Sequence, residues 1–182
     1  MPNKYAIHDS TQLYFVTYAT VNWIDVFTRN CYSDIVVDSL NFCVEHKALE
    51  IYSWCIMSNH VHMIISSETA NLSAILREHK SFTAKKIIKL ITTHPKESRK
   101  EWMLKMFKEA GANNSRNRHV QFWQQDNHPV ELTTNEMIEQ RLNYIHNNPV
   151  RAHIVANAED YIYSSARDYC GEKGLVKLCM MD

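Results

Sequence analysis

The sequence predicts an α+β protein on a ferredoxin-like antiparallel sheet, a split βαβ layout with helices on one face. Three observations carry that expectation. Short β-branched and aromatic runs alternate with longer stretches of helical period, in the order strand, helix, strand, strand, helix, strand, helix. Two of the runs are separated only by Ser58-Asn59, which makes them a hairpin. The chain has 182 residues, 45% of them hydrophobic, enough for one substantial core.

The first strand is YFVTYATV (14–21), followed by a loop from Asn22 to Tyr32. SDIVVDSLNFCVEHK (33–47) aligns Ile35, Val36, Leu40, Cys43 and Val44 on one stripe, a helix with Ser33 as candidate N-cap. Leu49–Met57 and His60–Ser66 are the hairpin strands. From Asn71 to about Thr92, Leu72, Ile75, Leu76, Phe82, Ile87, Ile88 and Ile91 predict a long helix stopped by His94-Pro95. Glu97–Ala110 is a second helix closed by Gly111, and ANNSRNRH (112–119) is a polar loop. Val120–Trp123 is the candidate fourth strand. A helix capped by Thr134 or Asn135 then runs through MIEQRLNYIHN until Pro149 ends it, before an irregular tail with a short helical piece. The expected organisation is one domain over 1–182, with its core at about 12–155, a basic helical insertion at about 93–119 and a tail at about 156–182.

Composition excludes several classes. Hydrophobic content is too high for disorder, and 3 Gly with 4 Pro exclude collagen-like or low-complexity chains. No apolar run approaches the roughly 20 residues that span a bilayer, and the N-terminus lacks a signal-peptide apolar region. Five scattered cysteines without a C-x-x-C pair suit free thiols in a reducing compartment, so a cytoplasmic protein is expected. Twenty basic residues balance twenty acidic ones, yet residues 76–118 hold twelve of the former and four of the latter. Interleaved with Phe82, Trp102 and Phe107, this segment suits a phosphate backbone; alone it also suits a solvated helix face.

Two features carry chemistry. In SNHVHMII, His60 and His62 fall on one face of a strand, about 7 Å apart along it, where they can converge on one divalent cation. Two ordinary polar residues on a half-exposed strand fit the same pattern. In LNYIHNNPV (142–150), Tyr144 and Asn148 are four apart and share a helix face, while Ile145 points elsewhere as a core anchor. A tyrosine at the rim of a core and an asparagine before a proline are also common structural residues. Together the two features fit cleavage of a phosphodiester by a tyrosine. The phenol, with an ordinary pKa near 10, attacks phosphorus while a cation polarises a non-bridging oxygen. Two imidazoles and an amide oxygen with open positions suit Mg²⁺ or Mn²⁺.

The chain then resembles the single-tyrosine HUH transposases, specifically the REP-associated tyrosine transposase group of the IS200-like superfamily. The resemblance lies in YFVTYATVNW, WCIMSNHVHMII (54–65), FWQQDNHPVEL (122–132), YIHNNPVRAHIV (144–155) and DYIYSSARDY (160–169), in the family's order. It implies the HUH pair on a central strand, His60 and His62 as metal ligands, and Asn148 at the third-ligand position, where related transposases often carry Gln. Tyr144 is implied to be the nucleophile that forms a 5′-phosphotyrosine bond to single-stranded DNA. Family members recognise hairpin-forming imperfect palindromes beside a short tetranucleotide. Hairpin binding is assigned to Arg77, Lys80, Lys85, Lys86, Arg116, Arg118, Arg141 and Arg151.

Two alternatives stay open: a hairpin-binding protein of the same fold that does not cut, and an unrelated H-x-H metallohydrolase with a water nucleophile. The sequence expects no membrane partner and leaves open a homodimer, as well as whether Tyr144 acts within its own subunit. His146 is expected on another helix face than the ligands. Trp23, Trp54 and Trp123 are expected in the core, and Tyr161, Tyr163 and Tyr169 in tail packing.

Overall fold

The computed structural model describes residues 6–114, 119–125 and 127–180. Its strands are β1 (Tyr14–Ala19), β2 (Glu50–Ile56), β3 (His60–Ser66) and β4 (Val130–Glu131). Its helices are α1 (Asn30–His46), α2 (Leu72–Thr93), α3 (Lys100–Ala112), α4 (Asn135–Arg151) and the single turn α5 (Ala166–Tyr169). The sheet has the order β2-β3-β1-β4 and every pair is antiparallel, the ferredoxin-like order the sequence predicts. Among the described residues no helix is long and apolar enough to cross a membrane.

Strand alternation sorts side chains onto two faces. Tyr14, Val16, Tyr18, Val61, Met63 and Ile65 join the larger core beneath α1 and α2, with Val36, Leu40, Ile75, Ile87 and Ile91. Phe15, Cys55, Ile64, Leu132 and Ile145 form a second cluster on the opposite face, beneath α4. The helices therefore occupy both faces, α1 and α2 on one and α4 on the other. A register shift between Ile51 and Ser53 lets both Ile51 and Trp54 reach the larger core although they are three residues apart.

Helix ends follow local chemistry. Asn71 accepts a hydrogen bond from the Ala74 N–H, and Thr134 accepts one from the Met137 N–H. Ser33 is not an N-cap: α1 begins at Asn30, and Ser33 is buried inside it. Gly111 lies inside α3, where a Cβ would come within 2.6 Å of the Val120 backbone nitrogen. Pro149 does not end α4, which continues to Arg151. So near the C-terminus, a proline removes one helical bond, and the Ala152 and Ile154 N–H groups satisfy the Asn148 and Pro149 carbonyls.

The fourth strand lies later than Val120–Trp123. That segment makes one bridge, Thr20 to Trp123, and spends its aromatic rings on the core, Trp123 stacking on Phe27 at 5.7 Å. The chain continues along β1, where the Thr17 N–H donates to Asn127, and regains strand pairing at Phe15–Val130 and Tyr14–Glu131. Trp123 and Trp54 are buried as expected, but Trp23 is 55% exposed because it sits in a tight turn outside the core.

The tail lies along the outer edge of β2. The Ile56 N–H donates to Tyr163, the Ser165 N–H to Trp54, and the Cys179 N–H to Ile51. Tyr161 and Tyr169 donate their hydroxyls to the carbonyls of Ile56 and Tyr52, each at 2.8 Å.

Candidate active site

His60 and His62 lie on β3, which pairs with β1 on one side and β2 on the other. Both point to the α4 face, with ring centroids 4.6 Å apart. The fold fixes each ring through Nδ1. His60 Nδ1 lies 2.7 Å from Asn59 Oδ1. The Asn59 amide nitrogen is committed to two acceptors, the Trp23 carbonyl and the Asp25 carboxylate, so its oxygen faces the imidazole. An amide oxygen only accepts, so the proton of neutral His60 sits on Nδ1 and the Nε2 lone pair is free.

His62 Nδ1 lies 2.7 Å from Thr17 Oγ1, directly across the β1–β3 pair. Its Nε2 is buried and has no hydrogen-bond partner among the described residues. A buried nitrogen without a partner is costly unless something binds it. Burial, with His60 and Arg141 adding to it, lowers the His62 pKa to about 3. Burial also lowers His60, opposed by Asp25. Both rings are therefore neutral near pH 7, the form that ligates a metal.

Helix α4 supplies the other wall. Ile138, Leu142, Ile145 and Pro149 form its apolar stripe, with Ile145 and Pro149 buried. The adjacent stripe carries Arg141, Tyr144, Asn148 and Arg151 at helical spacing. The Tyr144 ring is 5.2 Å from that of His62 and 6.1 Å from that of Phe15, which stacks on His62 at 5.6 Å. Arg141 covers Phe15 with its guanidinium carbon 4.7 Å from the ring centre, and Arg151 approaches Tyr144 at 6.0 Å. Two cations thus flank the tyrosine, one on either side along the helix.

The Tyr144 hydroxyl differs from the other tyrosine hydroxyls among the described residues. Those of Tyr14, Tyr18, Tyr32, Tyr52, Tyr161, Tyr163 and Tyr169 all have hydrogen-bond partners. Among the described residues none bonds that of Tyr144. Asn148, one turn further on, has a buried side-chain nitrogen without a partner among them. An amide exchanges its N and O positions by a half-turn, so this side chain can present oxygen toward the same space.

As metal donors, the residues present are two oriented imidazoles and one under-satisfied amide. Among the described residues no three His, Cys, Asp or Glu gather as a metal-binding group. The set fits a divalent cation that keeps several positions for water and substrate. His146 is outside it: its Nε2 lies 2.9 Å from Ser165 Oγ and 3.2 Å from Ser53 Oγ, and burial lowers its pKa to about 4.

The other basic residues lie apart from this cluster. Arg77, Lys80, Lys85 and Lys86 are on α2, across the sheet from Tyr144. Lys80 Nζ donates to the Gln124 carbonyl and to Asn127 Oδ1, tying α2 to the segment beside β1. Arg116 and Arg118 lie outside the described residues. Sequence reasoning missed Thr17 and Asn59, the residues that orient the two histidines. The signals were the position opposite His62 on β1 and the polar residue just before His60.

The model of the family described as "Transposase IS200 like" matches residues 12–110. No curated protein sequence matches the chain. The fold is similar to a solved structure described as the REP-associated tyrosine transposase bound to a REP hairpin. Its TM-score is 0.62 at 18% identity, over 100% of this chain and 94% of that one. A Deinococcus radiodurans R1 protein, provisionally described as a transposase, aligns over 81% of this chain and 96% of its own at 14% identity. Its TM-score of 0.43 carries no argument. With the family's model spanning more than half of it, the chain belongs to the IS200-like transposases.

Proposed function

We propose that this transposase cleaves and rejoins single-stranded DNA at hairpin-forming palindromes, with Tyr144 as nucleophile. One observation carries the reading: the Tyr144 ring, whose hydroxyl has no hydrogen-bond partner among the described residues, lies 5.2 Å from that of His62, whose buried Nε2 has none among them either, and both His62 and the neighbouring His60 have Nδ1 engaged. The Tyr144 oxygen attacks a backbone phosphorus, the bond from phosphorus to the 3′ oxygen breaks, and that oxygen takes up a proton as a free hydroxyl. The phenolic proton leaves to solvent. The 5′-phosphotyrosine conserves the bond energy, and a 3′-hydroxyl on another strand reverses the step.

His60 and His62 would hold a divalent cation, Mg²⁺ or Mn²⁺, with Asn148 as a third donor. Bound there, the cation supplies charge stabilisation at the non-bridging phosphate oxygens. Arg141 and Arg151 would hold the strand through its phosphates. Arg77, Lys85 and Lys86 across the sheet, with Arg116 and Arg118, would meet the hairpin stem, and Lys80 would act through the segment it tethers. The hairpin-bound solved structure of similar fold supports this substrate class. The protein would work in the cytoplasm as part of a mobile element.

The test is a denaturing gel of the purified protein with single-stranded DNA from the flanks of its own gene, with and without Mn²⁺. A metal-dependent covalent adduct that disappears in Tyr144→Phe is expected. Binding without an adduct, with or without Mn²⁺, would replace this reading with a hairpin-binding protein that does not cut. An adduct that survives Tyr144→Phe would remove Tyr144 as the nucleophile.

A further inference from the structure

The turn after β1 carries the most unusual backbone near the histidines. Asn22 and Trp23 both adopt left-handed φ, 54° and 53°. That region disfavours side chains with a Cβ, and two consecutive non-glycine residues in it are rare, particularly when one is as bulky as tryptophan. Such a conformation persists where the surroundings over-determine it, and it concentrates at functional sites. Here the Trp23 N–H donates to the Thr20 carbonyl at 3.1 Å, and the Trp23 carbonyl accepts from the Asn59 amide at 3.2 Å.

The strain secures no burial, since the indole is 55% exposed. It sets the ring 5.7 Å from that of His60, with the planes at 75°. The same Asn59 side chain therefore holds the Trp23 carbonyl with its nitrogen and orients His60 with its oxygen. Trp102, the other exposed tryptophan, lies on the regular helix α3, whose backbone is unstrained. An aromatic face held open beside a phosphate-handling centre is the arrangement by which proteins seat unpaired bases, because every base offers a π-face.

We infer that Trp23 is the stacking platform for an unpaired nucleobase next to the phosphate at His60 and His62, with Asn59 fixing platform and histidine in one frame. The inference rests on the proposed single-stranded DNA substrate. It adds a binding site on the β1–α1 connection, at the opposite end of the histidine pair from Tyr144. The occupant is a base and not a duplex groove, because an isolated ring beside the sheet matches one flat partner.

The test uses the full chain and single-stranded DNA from the flanks of its own gene, scanned with one abasic nucleotide at a time. Affinity is read by fluorescence anisotropy for the unaltered protein, Trp23→Ala and Trp23→Phe, and folding is checked by thermal melting. Alanine substitution at a base-stacking residue costs roughly tenfold or more in affinity, and an abasic nucleotide at the seated position costs the unaltered protein a similar factor. Trp23→Ala is expected to be indifferent to that one abasic position, while Trp23→Phe keeps most of the affinity. If Trp23→Ala binds the intact strand as the unaltered protein does, or if its effect multiplies with that of every abasic position, the platform is refuted and the substrate class stands. If the unaltered protein binds none of these strands, the substrate reading fails and the platform with it.

Discussion

Thr17 Oγ1 and His62 Nδ1 face each other at 2.7 Å across neighbouring antiparallel strands, so strand register itself aims the imidazole. When Nδ1 carries the proton and donates to Thr17, Nε2 turns its lone pair toward Tyr144 and α4. Partners of this kind fix both the tautomer and the ring angle of ligating histidines. Thr17→Val keeps the shape and removes the acceptor. We expect a 10- to 100-fold loss of Mn²⁺ affinity by titration calorimetry, with the melting temperature little changed. Unchanged affinity would mean that packing against Phe15 alone orients the ring.

The tyrosine hydroxyls separate by what they hold. Tyr161→Phe and Tyr169→Phe each leave a β2 carbonyl without its donor, so each should lower stability by about 1 kcal/mol in urea melts while the DNA adduct still forms. Tyr144→Phe gives up no hydrogen bond to the described residues and should stay within about 0.5 kcal/mol of the parent while losing the adduct. A large stability loss in Tyr144→Phe would place its hydroxyl in a structural bond.

Phosphate binding should show in salt dependence. Arg141 and Arg151 flank Tyr144, whereas Lys85 and Lys86 lie across the sheet on α2. Replacing Arg141 or Arg151 by Ala should weaken single-strand binding and flatten the slope of log K against log salt by about 0.7 for each phosphate that is no longer neutralised. Lys85→Ala and Lys86→Ala should act only on DNA with a hairpin stem. The opposite pattern, with α2 controlling unstructured strands, would move the strand path to the other face.

Acid should destabilise the protein earlier than its carboxylates alone require. Burial, reinforced by Lys80, lowers His79 to about 3, and burial lowers His146 to about 4. In the unfolded chain both titrate near 6.5. Their folded pKa values are the lower ones, so their contribution is complete above pH 6.5. It falls away from there toward pH 3 to 4, where the unfolded state takes up protons that the native state refuses. Each adds a slope of about 1.4 kcal/mol per pH unit. Urea melts of metal-free His79→Gln between pH 7 and 5 should show one proton less of pH dependence; an unchanged slope would mean that the native interior admits the charge.

Local pattern made β1, β2, β3 and α2 legible in the sequence almost to the residue, because the three strands are compact runs of β-branched and aromatic residues bounded by turns, and α2 buries one regular stripe. The histidine pair and Tyr144 were legible as types at spacings. Their convergence was not, because it depends on α4 packing on the opposite sheet face from α1 and α2. The fourth strand was misplaced for a related reason: Phe122 and Trp123 have strand-like composition but spend it on side-chain packing, while the pairing at Val130 and Glu131 is too short to leave a pattern. Trp23 broke the rule that aromatics beside strands are buried. Thr17 and Asn59 are ordinary residues whose importance comes from what stands opposite them.

The tail over β2 has a consequence for assembly. A bare outer strand is an open template onto which a second sheet can zip. Here the main chain and hydroxyl groups of residues 161–179 already occupy the carbonyls of Ile51, Tyr52, Trp54 and Ile56 and the amides of Trp54 and Ile56. That side of the sheet is closed to growth, so two copies cannot join there into one continuous sheet while the tail is in place. A pairing of subunits that extends the sheet is then left with the short β4 margin.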